Sequence, residues 1–177
     1  TFEELWNITL EGNIAETFMS YSDGRIIIGT SYDWNLGCEG NQTLYAINEN
    51  NGNIARNYTI EKCFTFAGTK PVIYKGMVFV NPTNFTGDFH RIYIFNETNG
   101  DLILKSGVRE GTTWPSIMVI ANNKIIYSSS KSVNGVVNVL DLNTRKIWEY
   151  NITTKGFPPG AFIYNKTIFI ASDDEKL

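Results

Sequence analysis

The sequence predicts an all-β protein built from repeated four-stranded antiparallel units, and three observations predict it. A pattern returns at intervals of roughly 45 to 50 residues, a spacing typical of radially repeated sheets. Leu44-Tyr45-Ala46-Ile47-Asn48 stands before Asn51-Gly52, Ile92-Tyr93-Ile94-Phe95-Asn96 before Asn99-Gly100, and Val137-Asn138-Val139-Leu140-Asp141 before Thr144-Arg145. A short apolar stretch follows each turn: Asn53-Ile54-Ala55, Asp101-Leu102-Ile103 and Lys146-Ile147-Trp148. A fourth, Glu4-Leu5-Trp6, opens the chain without the motif before it. The second observation is that Gly or Asn interrupts the chain about every 8 to 12 residues, an all-β spacing. The third is that no stretch carries a helical period. Antiparallel units that repeat whole give a β-propeller more readily than a sandwich.

The chain reads as one propeller domain or segment over residues 1–177. Its units span about 11–60, 61–108, 109–154 and 155–177, with a strand in 1–10. Strands A to D run from the axis outward. In the first unit A is near Thr17–Tyr21, B is Arg25–Thr30, C is Thr43–Asn48 and D is Asn53–Ile60. In the second they are Pro71–Tyr74, Met77–Asn81, Arg91–Asn96 and Asp101–Val108. In the third they are Ser116–Ala121, Lys124–Ser129, Val136–Asp141 and Lys146–Thr153. The fourth begins with Gly160–Tyr164 and Thr167–Ala171. Asp23-Gly24, Lys75-Gly76 and Asn122-Asn123 are expected to make the A–B turns. Asn51-Gly52 is expected to make a two-residue C–D hairpin. Leu5–Leu10 reads as a D strand lacking its A, B and C.

Composition limits the function. The net charge is −3 and the pI about 5.2, without the basic patch of a nucleic-acid binder. No run of 18 apolar residues is present, so no direct membrane span is expected. Thr1 is not a natural start, so a preceding segment is expected to have been removed or left out. Asn-x-Thr triplets stand at Asn7, Asn41, Asn57, Asn84, Asn96, Asn151 and Asn165, and Pro82 spoils another at Asn81. Chance in a chain this rich in Asn and Thr supplies roughly three of these glycosylation acceptors. The excess points to a secreted or cell-surface protein carrying N-linked glycans. Cys38 and Cys63 fit an oxidising compartment. They lie in B–C and D–A loops on one face, so a disulfide is expected, worth roughly 3 kcal/mol by loop closure. Two free thiols are the alternative.

The repeats resemble those of the quinoprotein-type β-propellers, the PQQ-like repeat family, with a consensus of the form L-Y-A-L-D-x-x-T-G-K-x-x-W. Leu44 to Asn48 with Asn51-Gly52 follow it closely. Asp141, Thr144, Lys146 and Trp148 follow it too, with Trp148 one residue early. The resemblance covers nearly the whole chain and implies the propeller fold, commonly with seven or eight blades. About four blades are countable here, which leaves three arrangements open: part of a larger propeller, a ring closed on itself, or strand exchange between chains. The family's enzymes use adjacent cysteines and Ca²⁺ ligands around the axis. Cys38 and Cys63 are not adjacent, so the fold is implied and the catalytic residues are not. Dense sequons on such a propeller are similar to archaeal surface proteins.

No catalytic, metal or cofactor pattern emerges, since His90 is the only histidine and lacks ligand spacing around it. The irregular B–C face carries Trp34, Phe85, Phe89, His90 and Trp114. These are candidates for a carbohydrate- or protein-binding surface, with a lid over the sheet ends as the alternative. Asn7, Asn57 and Asn151 fall on outer D strands, where a glycan would shield an open edge from other copies of the chain. The expected function is therefore non-enzymatic: structure, adhesion or recognition in a surface layer, filament or appendage. The alternatives are a fragment of a quinone- or sugar-processing enzyme and an envelope assembly scaffold.

Overall fold

A computed structural model describes residues 4–12, 17–31, 42–84, 86–113, 117–131, 134–155 and 161–170. No helix occurs among them. The first blade pairs β1 (Met19–Ser22), β2 (Arg25–Gly29), β3 (Thr43–Asn48) and β4 (Ile54–Thr59) in chain order, all antiparallel. The third does the same with β13 (Val119–Ala121), β14 (Lys124–Lys131), β15 (Asn134–Asp141) and β16 (Lys146–Lys155). The fourth contributes β17 (Ala161–Tyr164) and β18 (Thr167–Ile170).

The second blade differs, because each of its strands is broken in two. One tier is β6 (Val72–Tyr74), β7 (Met77–Val80), β10 (Tyr93–Asn96) and β11 (Leu102–Lys105). The other is β5 (Phe64–Thr65), β8 (Thr83–Asn84), β9 (Phe89–His90) and β12 (Arg109–Glu110), in the same inner-to-outer order. The break falls at Pro82, which has no N–H to give the ladder. Arg91 N–H still reaches the Pro82 carbonyl at 3.1 Å, and the Ser106 hydroxyl oxygen accepts from Ile92 N–H at 2.9 Å, so the chain is bridged across it.

The inner hairpins share one turn. Asp23-Gly24, Lys75-Gly76, Asn122-Asn123 and Asn165-Lys166 all have positive φ at both central residues. This is the type I′ geometry whose twist matches the flanking strands. The C–D turns are longer than the expected two-residue hairpin. Gly52 N–H and Gly100 N–H close on the carbonyls of Asn48 and Asn96, at 2.9 Å each. Each asparagine's Oδ1 also accepts from a turn N–H, Asn50 in one case and Thr98 in the other. Side-chain capping therefore selects the longer turn. In the third blade the closing donor is Thr144 N–H onto Asp141, one residue sooner, which explains the early Trp148. Thr144 then takes the left-handed position with φ 63°, where its neighbours carry glycine. A β-branched residue is strained there. Thr144→Gly should raise stability by about 1 kcal/mol, seen as a higher urea midpoint; an unchanged or lower midpoint contradicts this.

The blades pack face to face through alternate residues. Ile27 and Leu44 of the first blade meet Val78, Val80, Tyr93 and Phe95 of the second. Phe79, Ile92 and Ile94, one step along the same strands, face Met118, Ile125, Tyr127 and Leu140 of the third. Ile126, Val137 and Val139 then face Ile163, Ile168 and Ile170. This period of two is what a sheet buried on both faces requires. Inner strands neighbour one another in series, β1 with β6, β6 with β13, and β13 with β17, while β4, β11 and β16 make no comparable contact. The sheets thus fan out radially. Among the described residues β17 does not close comparably on β1.

Leu5–Leu10 was expected as an outer strand, and here it forms no ladder. A strand needs a neighbour to exchange hydrogen bonds with, and the described residues offer this segment none. It keeps the face-to-face half of the interaction: Trp6, Ile8 and Leu10 cover Ile28, Tyr45 and Ile47. Trp6 lies over the turn at Gly52, where an added Cβ would fall 2.6 Å from the indole, and its Nε1–H donates to the Glu49 carbonyl at 2.6 Å. Arg56 repeats this clasp on the next blade. Its side chain lies over Gly100, and Nη1 donates to the Glu97 carbonyl at 3.2 Å.

Candidate functional site: a polar cleft between the second and third blades

The clasps set the repeats in register and reveal where one junction departs from the others. Five residues after Trp6 comes Glu11, and five after Arg56 comes Glu61. Across the junction, Tyr45 and Tyr93 hold the same place in their blades, each three residues before the turn-opening Asn48 or Asn96. Tyr45 hydroxyl approaches the Glu11 carbonyl at 3.5 Å, and Tyr93 hydroxyl donates to Glu61 Oε1 at 3.0 Å. Glu61 also takes Lys105 Nζ at 3.0 Å and lies 2.7 Å from Arg91 Nε, an ion pair without hydrogen-bond angles. Burial alone would raise the Glu61 pKa, but the bonds from Lys105 and Tyr93 and the Arg91 charge outweigh it and hold the carboxyl below its ordinary range. Burial, then the Glu61 charge, pushes the Tyr93 phenol up.

At the next junction both partners change. Arg109 follows Lys105 by the same four positions as Glu61 follows Asn57, and Asn138 stands three before Asp141 where the other blades have tyrosine. The shorter amide cannot cross the gap. Asn138 Nδ2 turns back to Ser129 Oγ at 2.9 Å, and Arg109 Nη2 turns away to the Thr144 carbonyl. A cleft of about 470 Å³ results, walled by Val108, Arg109 and Glu110 on one side and by Ser129, Val136, Asn138, Glu149 and Asn151 on the other. A cavity of about 40 Å³ between the first and second blades lies elsewhere, against Ala46, Tyr58 and Phe95.

His90 forms the floor. It was expected on an exposed loop face, and it is instead 1% exposed. The Gly111 carbonyl, 2.7 Å from Nδ1, can only accept, so Nδ1 carries the proton. Nε2 then accepts from the Tyr127 hydroxyl at 2.9 Å. Both nitrogens are used, so the imidazole ties β9 to β14 and does not face a ligand. Burial drives its pKa down to about 4; the Gly111 bond opposes this and the Arg109 charge adds to it. Burial likewise raises the Tyr127 phenol.

Of the other candidates for a binding face, Phe89 is 41% exposed. Trp34, Phe85 and Trp114 lie outside the described residues. Among the sequon asparagines, Asn7, Asn57, Asn151 and Asn165 are exposed, Asn84 and Asn96 are half-buried, and Asn41 is outside the described residues. Asn84 Nδ2 donates to Thr86 Oγ1, the hydroxyl of its own triplet, at 2.7 Å. Cys63 precedes β5, and the other cysteine of the sequence, Cys38, lies outside the described residues. Among the described residues no group of three or more His, Cys, Asp or Glu is placed to hold a metal ion, and no helix is long and apolar enough to cross a membrane.

Comparison with solved structures identifies the architecture. The Dos1 propeller is similar over 89% of this chain and 45% of its own, with TM-score 0.60 and 14% identity. The quinohemoprotein alcohol dehydrogenase from Comamonas testosteroni is similar over 86% of this chain and 31% of its own, with TM-score 0.55 and 12% identity. This protein is a β-propeller. A neuraminidase-like protein of subtype N10, from A/little yellow-shouldered bat/Guatemala/060/2010, is similar over 77% of this chain and 43% of its own, with TM-score 0.53 and 10% identity. This chain therefore spans about a third to under half of these propellers. At such identities the likeness concerns fold alone, and enzymes and other proteins share it. No family model matches the chain, and no curated protein does.

Proposed function

We propose that this propeller is a non-enzymatic, N-glycosylated protein of the cell surface or the secreted space, serving adhesion, recognition or the structure of a surface layer, filament or appendage. The observation that carries the reading is the placement of the sequons. Asn57 on β4 and Asn151 on β16 project into solvent from the outermost strands of their blades, and Asn7 is exposed as well. Outer strands present unpaired N–H and C=O groups that recruit other chains. A glycan at these positions shields such an edge. A pair of cysteines agrees with an oxidising compartment. The proposed bridge joins Cys63 to Cys38.

Replacing Asn7, Asn57 and Asn151 together by Gln tests the shielding role. The fold should persist, because these side chains are not part of the core. Self-association should rise, read as a concentration-dependent mass in light scattering. A triple variant no stickier than its parent contradicts the role. Alkylation of the folded, unreduced protein should label neither cysteine; labelling of both removes the bridge.

A further inference from the structure

The geometry points to the cleft between the second and third blades as a binding site for a neutral saccharide of one or two rings. This deepens the recognition reading above, on which it rests for its purpose but not for its geometry. The walls bring two cations, Arg109 and Lys146, against two anions, Glu110 and Glu149. Their formal charges sum to zero, so the lining does not favour a ligand of net charge. Lys146 Nζ lies 3.0 Å from Glu149 Oε2, and Arg109 is engaged with the third blade's backbone. Ser129 and Asn138 bond each other, which leaves the Asn138 and Asn151 amide oxygens, the Ser129 hydroxyl hydrogen and the second Glu149 oxygen to accept and donate as sugar hydroxyls require. Val108 and Val136 add the apolar area that the C–H face of a pyranose covers. The volume of about 470 Å³ lies within the range of small-molecule sites. At this junction Asn138 stands where the preceding one has Tyr93, so the Tyr93–Glu61 contact has no counterpart across the cleft.

Asn151 stands on the cleft wall and opens an Asn-x-Thr triplet. The saccharide then has two possible sources: the first sugars of a glycan on Asn151, folded back into the cleft, or a free saccharide from outside. Both use the same lining chemistry. An experiment with glucose, galactose, mannose and N-acetylglucosamine as probes at millimolar concentration separates them, with saturation-transfer NMR on the native protein and on Asn151→Gln. Transfer to a probe in the native protein assigns a free saccharide. Transfer only in Asn151→Gln assigns the protein's own glycan. In that case amide exchange over β15 and β16 should also quicken about tenfold in Asn151→Gln, and Asn165→Gln should leave it unchanged. In either case Asn138→Tyr, which restores the residue of the other junctions, should weaken binding at least tenfold. Glu149→Ala, which removes an acceptor from the exposed wall, provides a second test should the tyrosine variant not fold. No transfer to any probe in either protein overturns the proposal, as does equal transfer in Asn138→Tyr. If mass analysis finds Asn151 bare, the glycan source and the shielding role at that site both fail, and the free-saccharide arm stands by itself.

Discussion

Stability should fall by about 3 kcal/mol as pH is lowered from 7 to 4, and His90 should account for the loss. In the unfolded chain this imidazole takes up a proton near its ordinary value of about 6.5. In the folded protein burial delays protonation to about 4. Between these values the unfolded state binds the proton and the native state does not. The His90 contribution is therefore complete above about 6.5, declines as pH falls, and levels off below about 4. Glu61 adds a separate loss at lower pH, because its folded-state value is depressed: its contribution is present above the ordinary carboxylate range and disappears as the carboxyl protonates. His90→Phe distinguishes the two. It leaves the Gly111 carbonyl and Tyr127 hydroxyl without their partner and should cost about 2–4 kcal/mol at pH 7. It should also flatten the profile between 6.5 and 4. Urea unfolding at several pH values measures both effects, and an unchanged slope in the variant contradicts the assignment.

Gly29→Ala should destabilise the protein by about 2–3 kcal/mol. A Cβ at this position would lie 2.4 Å from Phe66 Cγ and 2.5 Å from its Cβ. Phe66 is 1% exposed, packed where the first and second blades meet, and cannot swing away. The effect is steric, because Gly29 has no left-handed φ that alanine would strain. Phe66→Ala, which removes Cγ and the ring, should therefore be less damaging in the Gly29→Ala background than in the parent. A double-mutant cycle reads that coupling. Simple additivity would place the cost of Gly29→Ala elsewhere.

The sequence made the regular parts of the fold legible because their causes are local. The inner turns follow from Asp23-Gly24, Lys75-Gly76 and Asn122-Asn123, in each of which Gly, Asp or Asn takes a positive φ readily. Strand β3 occupies Thr43–Asn48 as the alternation of apolar residues predicts. The second tier of the second blade was not legible. Its four strands have two residues each, too few for any period, and Pro82 disguises the continuation of β7 into β8. His90 looked like a loop residue because what buries it, Tyr127, lies 37 positions away. The cleft did leave a signal. Aligning the repeats on Asn48, Asn96 and Asp141 places Tyr45, Tyr93 and Asn138 in one column, and Glu61 opposite Arg109 in another. Neither substitution is conspicuous alone. Their meaning appears only when the two columns face each other across a blade junction, which is tertiary information.

The central claim is that this propeller is a glycoprotein of an oxidising, external compartment, and the intact mass of the protein from its native source tests it most directly. The account predicts a mass that falls on enzymatic or chemical removal of N-linked sugars, with glycan on most of the seven sequons. A native mass equal to the bare polypeptide would contradict it.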